Sequence, residues 1–155
     1  MSSKVNYTTK PVSTDLISKQ WLLIDATDCF LGRLSSQVVN ILLGKNKSYY
    51  TNFFDCGDNV IIMNAINILV SGKKDKGKKY IWHTGYPGGQ RCRTYDEVKA
   101  ANPSSVILMA IRGMLPKNRL GRAIFKKNIR VFNQGDQAME YIKRKNIKFI
   151  NFKID

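Results

Sequence analysis

Trp21-Leu22-Leu23-Ile24 is a continuous apolar run, too short for a helix and closed by polar Asp25, Thr27 and Asp28. This pattern predicts a buried strand. The spacing then changes: Leu31, Leu34, Val38, Ile41 and Leu42 recur at three and four residues, and Gly44 follows. That is an amphipathic helix stopped by glycine, with Asp28 expected as its N-cap. Val60-Ile61-Ile62-Met63 predicts a second buried strand, entered from the turn Cys56-Gly57-Asp58-Asn59, while Ala65 to Val70 fits a short helix or a strand equally well. Tyr80-Ile81-Trp82 predicts a third strand. Tyr95 to Ala101 has a helical pattern stopped at Asn102-Pro103, since the residue before proline avoids helical backbone. Ser104 or Ser105 should cap a helix from Val106 to Met114 that turns Val106, Met109, Ala110 and Gly113 to one face. Leu120 to Lys127 reads as a short basic helix, and Ile129 to Phe132 as a last strand.

Buried strands alternating with helices imply βαβ crossovers and a mostly parallel sheet. At 155 residues the chain has the size of one domain. Residues 21–132 are expected to form it, behind a polar leader (1–20) and ahead of a basic extension (133–155) in which basic and apolar residues alternate from Tyr141 to Ile150. Hydrophobic residues are 43% of the chain, a globular share rather than a disordered one. The longest apolar run, Val60 to Val70, is interrupted by Asn64 and Asn67 and is far from a membrane span. The first twenty residues show no apolar segment of a secretory signal. Cys29, Cys56 and Cys92 are odd in number and scattered, which suits free thiols in a reducing compartment.

Charge is the outlier. Twenty-six Lys and Arg stand against eleven Asp and Glu, a net +15, which calls for an acidic partner and above all nucleic acid. Three stretches could meet it. In His83-Thr84-Gly85-Tyr86-Pro87-Gly88-Gly89-Gln90-Arg91, glycines after a strand could bring backbone N–H groups to a phosphate, with Arg91 adding charge. A turn-rich loop explains the same glycines equally well, and the spacing fits neither the P-loop nor the dinucleotide fingerprint. From Arg112 to Arg122, Pro116 and Gly121 should fix a bend from which Lys117, Asn118, Arg119 and Arg122 project, with Lys126 and Lys127 beyond. A merely soluble surface mixes its signs, and Asp and Glu are nearly absent here, so a phosphate-facing turn is the better reading. In the third stretch Lys45, Lys47, Tyr49 and Thr51 interleave cations with polar and aromatic groups, which suits phosphate pairing plus base stacking. Phe53 and Phe54 in it are expected in the core.

A catalytic constellation does not assemble. His83 is the only histidine and no nucleophile sits at a strained elbow. Cys29, Cys56, Cys92 and His83 are zinc-ligand types, but their spacings match no familiar zinc module. Asp25, Asp28, Asp55 and Asp58 are explained more simply by caps and turns than by a cation. No cofactor and no metal is expected.

Read as ordered blocks, the chain resembles the bacterial-type family of large-subunit ribosomal protein L13. The blocks are Trp21 to Asp25, Leu31-Gly32-Arg33-Leu34, Gly44-Lys45, Tyr50-Thr51, Asp55, Gly57-Asp58, His83-Thr84-Gly85 and Gly88-Gly89. The most specific are Gly113-Met114-Leu115-Pro116-Lys117 and Leu120-Gly121-Arg122. The resemblance implies a three-layer α/β/α sandwich around a parallel four-stranded sheet. It also implies binding of large-subunit ribosomal RNA early in assembly, with no catalysis. Carried onto this chain, the RNA-facing positions would be Lys45, Lys47, Tyr49, Thr51, His83, Thr84, Gly85, Gly88, Gly89, Arg91, Arg112, Lys117, Asn118, Arg119, Arg122, Lys126 and Lys127. Partners would be that RNA and adjoining ribosomal proteins, not DNA or a membrane. The place would be the ribosome of a bacterial cytoplasm, with a mitochondrial or plastid ribosome as the alternative. Where the family usually carries a His- and Pro-containing tail, Asn133 to Asp155 contains neither. A reading from another class is a phosphate- or nucleotide-handling enzyme that uses the His83 to Arg91 loop.

Overall fold

The structure is a computed structural model that describes residues 17–152. Most of the expected leader, residues 1–16, and the last three residues of the expected extension lie outside the described residues. Four strands form one sheet: β1 (Trp21–Asp25), β2 (Asn59–Met63), β5 (Ile129–Val131) and β6 (Phe149–Phe152), in the order β5-β2-β1-β6. All three pairings are parallel, with Leu22 opposite Val60 and Ile150, and Val60 opposite Ile129.

Because side chains alternate across a strand, β1 and β2 serve two layers. Leu22, Ile24, Val60 and Ile62 face a large cluster filled by α1 (Leu31–Leu43), α3 (Tyr95–Ala101), α4 (Pro103–Met114) and α5 (Arg119–Lys127). Leu23 and Ile61 face the other way, against Ala138 and Ile142 of α6 (Gly135–Lys145). The fold is therefore the expected three-layer α/β/α sandwich. Residues 133–152, expected as an appendage, supply α6 and β6: the outer helix layer and an edge of the sheet itself.

Five local expectations are corrected. The third predicted strand does not join the sheet; β3 (Lys79–His83) pairs antiparallel with β4 (Gln90–Thr94) in a separate hairpin. The loop before it holds a single helical turn, α2 (Lys74–Gly77). Asp28 does not cap α1: it sits in left-handed backbone at φ 57°, the helix starts after Phe30, and the Leu31 N–H donates to the Leu69 carbonyl at 2.8 Å. Helix α4 begins at Pro103 rather than after Ser104 or Ser105, with Asn102 before it; proline lacks the N–H that the first turn leaves unpaired. Its buried face is Val106, Ile107 and Ile111, so Met109 and Gly113 are exposed.

The glycine stop of α1 is as expected. Gly44 takes φ 76°, its N–H closes onto Asn40 and Ile41, and a Cβ there would sit 2.8 Å from the Cys56 carbonyl carbon. Left-handed backbone plus that close approach leaves room only for glycine.

Candidate nucleic-acid interface

Several carboxylates are engaged in contacts within the fold. Asp58 accepts from the Gln20 N–H at 2.9 Å and pairs with the Lys47 ammonium at 2.5 Å. Asp55 pairs with Lys19 and accepts the Asn128 side-chain amide at 2.9 and 3.0 Å, which ties the start of β5 to the loop after α1. Asp25 accepts from the Thr27 amide and hydroxyl and from the Asn64 amide. Glu97 closes a capping box with Thr94 at the start of α3. Beyond it, Val98 to Gly135 carries eight basic residues and no carboxylate.

That stretch is α4, the turn after it, α5 and β5. The turn is held tightly. The Asn118 side-chain oxygen accepts from the Gly121 N–H at 2.7 Å, capping α5. A Cβ on Gly121 would lie 2.1 Å from the Pro116 carbonyl oxygen, so the chain can close here only on glycine. Helix α5 buries Gly121 and Ile124 and leaves Arg119, Arg122, Lys126 and Lys127 exposed. Arg112 and Lys117 are exposed beside them. The two helices border an open groove of about 720 Å³ lined by Met109, Gly113, Leu115 and Phe125 and by Arg112, Lys117, Arg122 and Lys126. Six of the seventeen expected positions are thus exposed cations on one rigid unit. Asn118, expected at the interface, is spent on the cap.

The stretch after α1 divides differently. Lys45 is exposed, but Lys47 is turned inward with only 14% of its side chain accessible, donating to Asp58 and to the Ser18 carbonyl. Burial lowers its pKa, yet the hydrogen bonds and charge interactions of Asp58 and, after it, Tyr49 outweigh that and leave it above the ordinary lysine value. This lysine fastens residues 18–20 to the loop and is not free for a phosphate. Tyr49 is half-buried, its hydroxyl 3.4 Å from the Ser18 carbonyl, and the half-buried Thr51 hydroxyl sits 3.7 Å from the Cys56 sulfur. Phe53 and Phe54, both expected in the core, lie outside both core clusters: Phe54 is half-buried and Phe53 is 83% exposed.

The His83 to Arg91 stretch is the tip and flank of the β3–β4 hairpin, not a strand-to-helix phosphate cradle. Three of its amides are used within the turn. Gly85 donates to His83 Nδ1 at 2.9 Å, Thr84 to the Gly89 carbonyl at 3.0 Å and Gly89 to the Tyr86 carbonyl at 2.8 Å. Gly85 and Gly88 take positive φ and Gly89 is buried, so the turn accounts for all three glycines. His83 and Arg91 remain exposed. The pairing of Tyr80 with Arg93 and Trp82 with Arg91 puts two aromatics and two guanidiniums on one face, the Arg93 guanidinium 5.6 Å from the Trp82 ring centre. Trp82 and Arg93 were not among the expected site residues. Their signal was the alternation Arg91-Cys92-Arg93 opposite Tyr80-Ile81-Trp82, which shows once the second strand is recognised. Among the described residues no three His, Cys, Asp or Glu side chains gather to hold a metal ion, and Cys29, Cys56 and Cys92 are separate free thiols.

Comparison with known proteins decides between the readings. The family model described as Ribosomal protein L13 matches residues 19–138. The chain belongs to the ribosomal protein L13 family. Among its relatives, the large ribosomal subunit protein uL13 of Halorhodospira halophila is 46% identical over 78% of this chain and 83% of its own length. That of Francisella philomiragia is 50% identical over the same shares, and that of Lachnospira eligens is 44% identical over 88% and 96%. The L13 match takes in β1 to β5 and the start of α6, and so contains the whole basic unit of α4, turn and α5.

Proposed function

We propose that this L13-family protein holds together segments of large-subunit ribosomal RNA by neutralising their phosphates. As a family member it is a structural constituent of the ribosome and not an enzyme. Its place is the large subunit in the cytoplasm, as for its bacterial relatives. The observation that carries the RNA reading is the rigid α4–turn–α5 unit, where Arg112, Lys117, Arg119, Arg122, Lys126 and Lys127 stand exposed with no carboxylate between Val98 and Gly135. Cations fixed on packed helices lose little freedom on binding, and phosphate contacts of this kind position RNA without reading its sequence. Lys45 and the hairpin, with Arg91, Arg93 and Trp82 on one face and His83 on the other, extend the surface. There guanidiniums beside an indole ring suit a phosphate next to an unpaired base. The phosphate-handling enzyme loses support, since the loop it would use is a hairpin tip that spends the Thr84, Gly85 and Gly89 amides on its own turn.

Co-sedimentation tests the reading. The protein should travel with large ribosomal subunits and be released by high salt or by RNA digestion. Recovery of the folded protein mostly free of ribosomes, with no affinity for purified large-subunit RNA, would refute it.

A further inference from the structure

Gly113 lies in the last turn of α4, is exposed, and is not among the glycines with positive φ. A Cβ built on it meets nothing within 4 Å. Nothing in the fold therefore requires glycine there, and glycine in a helix is the less stable choice by about 0.5–1 kcal/mol against alanine. The contrast is Gly121 across the groove, where a Cβ would strike the Pro116 carbonyl oxygen. The open space at Gly113 is the α4–α5 groove, with Met109 and Phe125 along it and Arg112, Arg122 and Lys126 around it. Its volume of about 720 Å³ falls within the roughly 300–1,000 Å³ typical of small-molecule pockets. Met109 is 44% exposed, an apolar surface set among cations.

We propose that this groove receives one unpaired nucleotide of the ribosomal RNA, its base lying over Gly113 against Met109 and Phe125, with flanking phosphates on Arg112, Arg122 and Lys126. This rests on the RNA reading above and makes it specific. Three features select the occupant. Cations without a carboxylate demand a polyanion, the apolar strip demands an uncharged flat or aliphatic group, and the missing side chain permits close approach of a rigid ring. An unpaired nucleotide supplies all three, because every base has a face that stacks on apolar and aromatic side chains while its phosphates stay at the rim.

The test is Gly113→Leu, which fills the groove from a position where the fold has room and removes no charge. Purified large-subunit ribosomal RNA is the probe, with binding, salt slope, thermal midpoint and base-specific chemical reactivity all measured. The variant should keep its salt slope, keep or slightly raise its thermal midpoint because helical glycine is replaced, and lose about tenfold in affinity, the scale of one stacked base. One base protected by the wild-type protein should become reactive again. Gly113→Ala, which adds only a methyl, should lose less. Wild-type affinity and an unchanged reactivity pattern in Gly113→Leu would overturn the nucleotide proposal while leaving phosphate binding intact. Normal RNA binding by the variant combined with poor incorporation into subunits would overturn it in favour of an acidic protein neighbour. Failure of the wild-type protein to bind the RNA would instead overturn the reading on which the proposal rests.

Discussion

Leu34→Ala separates the scaffold from the surface it carries. Leu34 is fully buried on the face of α1 that meets the sheet, in the cluster that also takes Leu22, Ile24, Val60 and Ile62 from the strands and Val106, Ile107 and Ile111 from α4. With the sheet on one side and α4 on another, the vacated space cannot close by moving a single loose element. The loss should therefore sit in the upper part of the range of about 2–5 kcal/mol for a buried leucine. For a chain of this length each kcal/mol shifts the thermal midpoint by roughly 2–4 °C, so a loss of about 3.5–5 kcal/mol gives an expected drop of roughly 7–20 °C. Urea titration followed by circular dichroism gives the free energy directly, with an unchanged slope showing that the folded state still unfolds as one unit. Leu69→Ala, at a position 43% exposed, should cost far less. Below the unfolding midpoint, Leu34→Ala should bind RNA as the wild type does, because its side chain is remote from solvent. A loss under about 0.5 kcal/mol, the scale of a surface change, would refute the helix phase and with it the placement of α1 on the sheet.

Asn118→Ala removes the side-chain acceptor of the Gly121 N–H and should cost about 1 kcal/mol, as lost N-caps do. Hydrogen exchange in the first turn of α5 should accelerate, and unchanged exchange there would contradict the cap. The Asp25 carboxyl should titrate below an ordinary aspartate. Burial raises its pKa, but hydrogen bonds from the Thr27 hydroxyl, the Thr27 amide and Asn64 more than offset that. A pKa lower in the folded than in the unfolded state contributes stability above the unfolded value, which is lost as pH falls through the folded one. That contribution should persist at neutral pH and vanish only in acid below about pH 4. An NMR titration midpoint above the ordinary aspartate value would contradict this.

The parts of the fold that were legible in the sequence are those fixed by local periodicity. Strands β1 and β2 are unbroken apolar runs, and α1 repeats at three and four residues up to a glycine whose backbone could end nothing else. What escaped depends on partners far along the chain. Asp28 has the chemistry of a cap, but the Leu31 amide is already taken by Leu69, so the helix starts later. Tyr80-Ile81-Trp82 has the composition of a buried strand, yet its partner is the basic strand ten residues on, which leaves Ile81 and Trp82 largely exposed. The sheet's fourth strand instead comes from Phe149–Phe152, beside β1, and loop closure over so long a separation leaves no local trace. In α4 the run from Val106 to Ile111 is apolar all round, so periodicity alone could not choose its buried face. At the surface, the missing carboxylates made the α5 cations readable. The inward turn of Lys47 was not, because its partner Asp58 looks in sequence like an ordinary turn residue.

The RNA reading stands or falls with Arg119 and Arg122 on α5, expected against RNA phosphates. The direct measurement is the salt dependence of binding to purified large-subunit RNA for Arg119→Gln with Arg122→Gln, set against Lys73→Gln with Lys74→Gln. The lysine pair is also exposed, on the short turn of α2 and outside the carboxylate-free stretch. If both arginines meet phosphates, their loss lowers the slope of log affinity against log salt by about 0.9 each on duplex RNA, taking the B-DNA value as a guide. Between 50 and 200 mM salt that removes about a tenfold share of the salt-induced loss. The account predicts this change with an unaltered thermal midpoint, and a smaller effect from the lysine pair. An unchanged slope in the arginine variant, or a larger effect from Lys73 and Lys74, would contradict it.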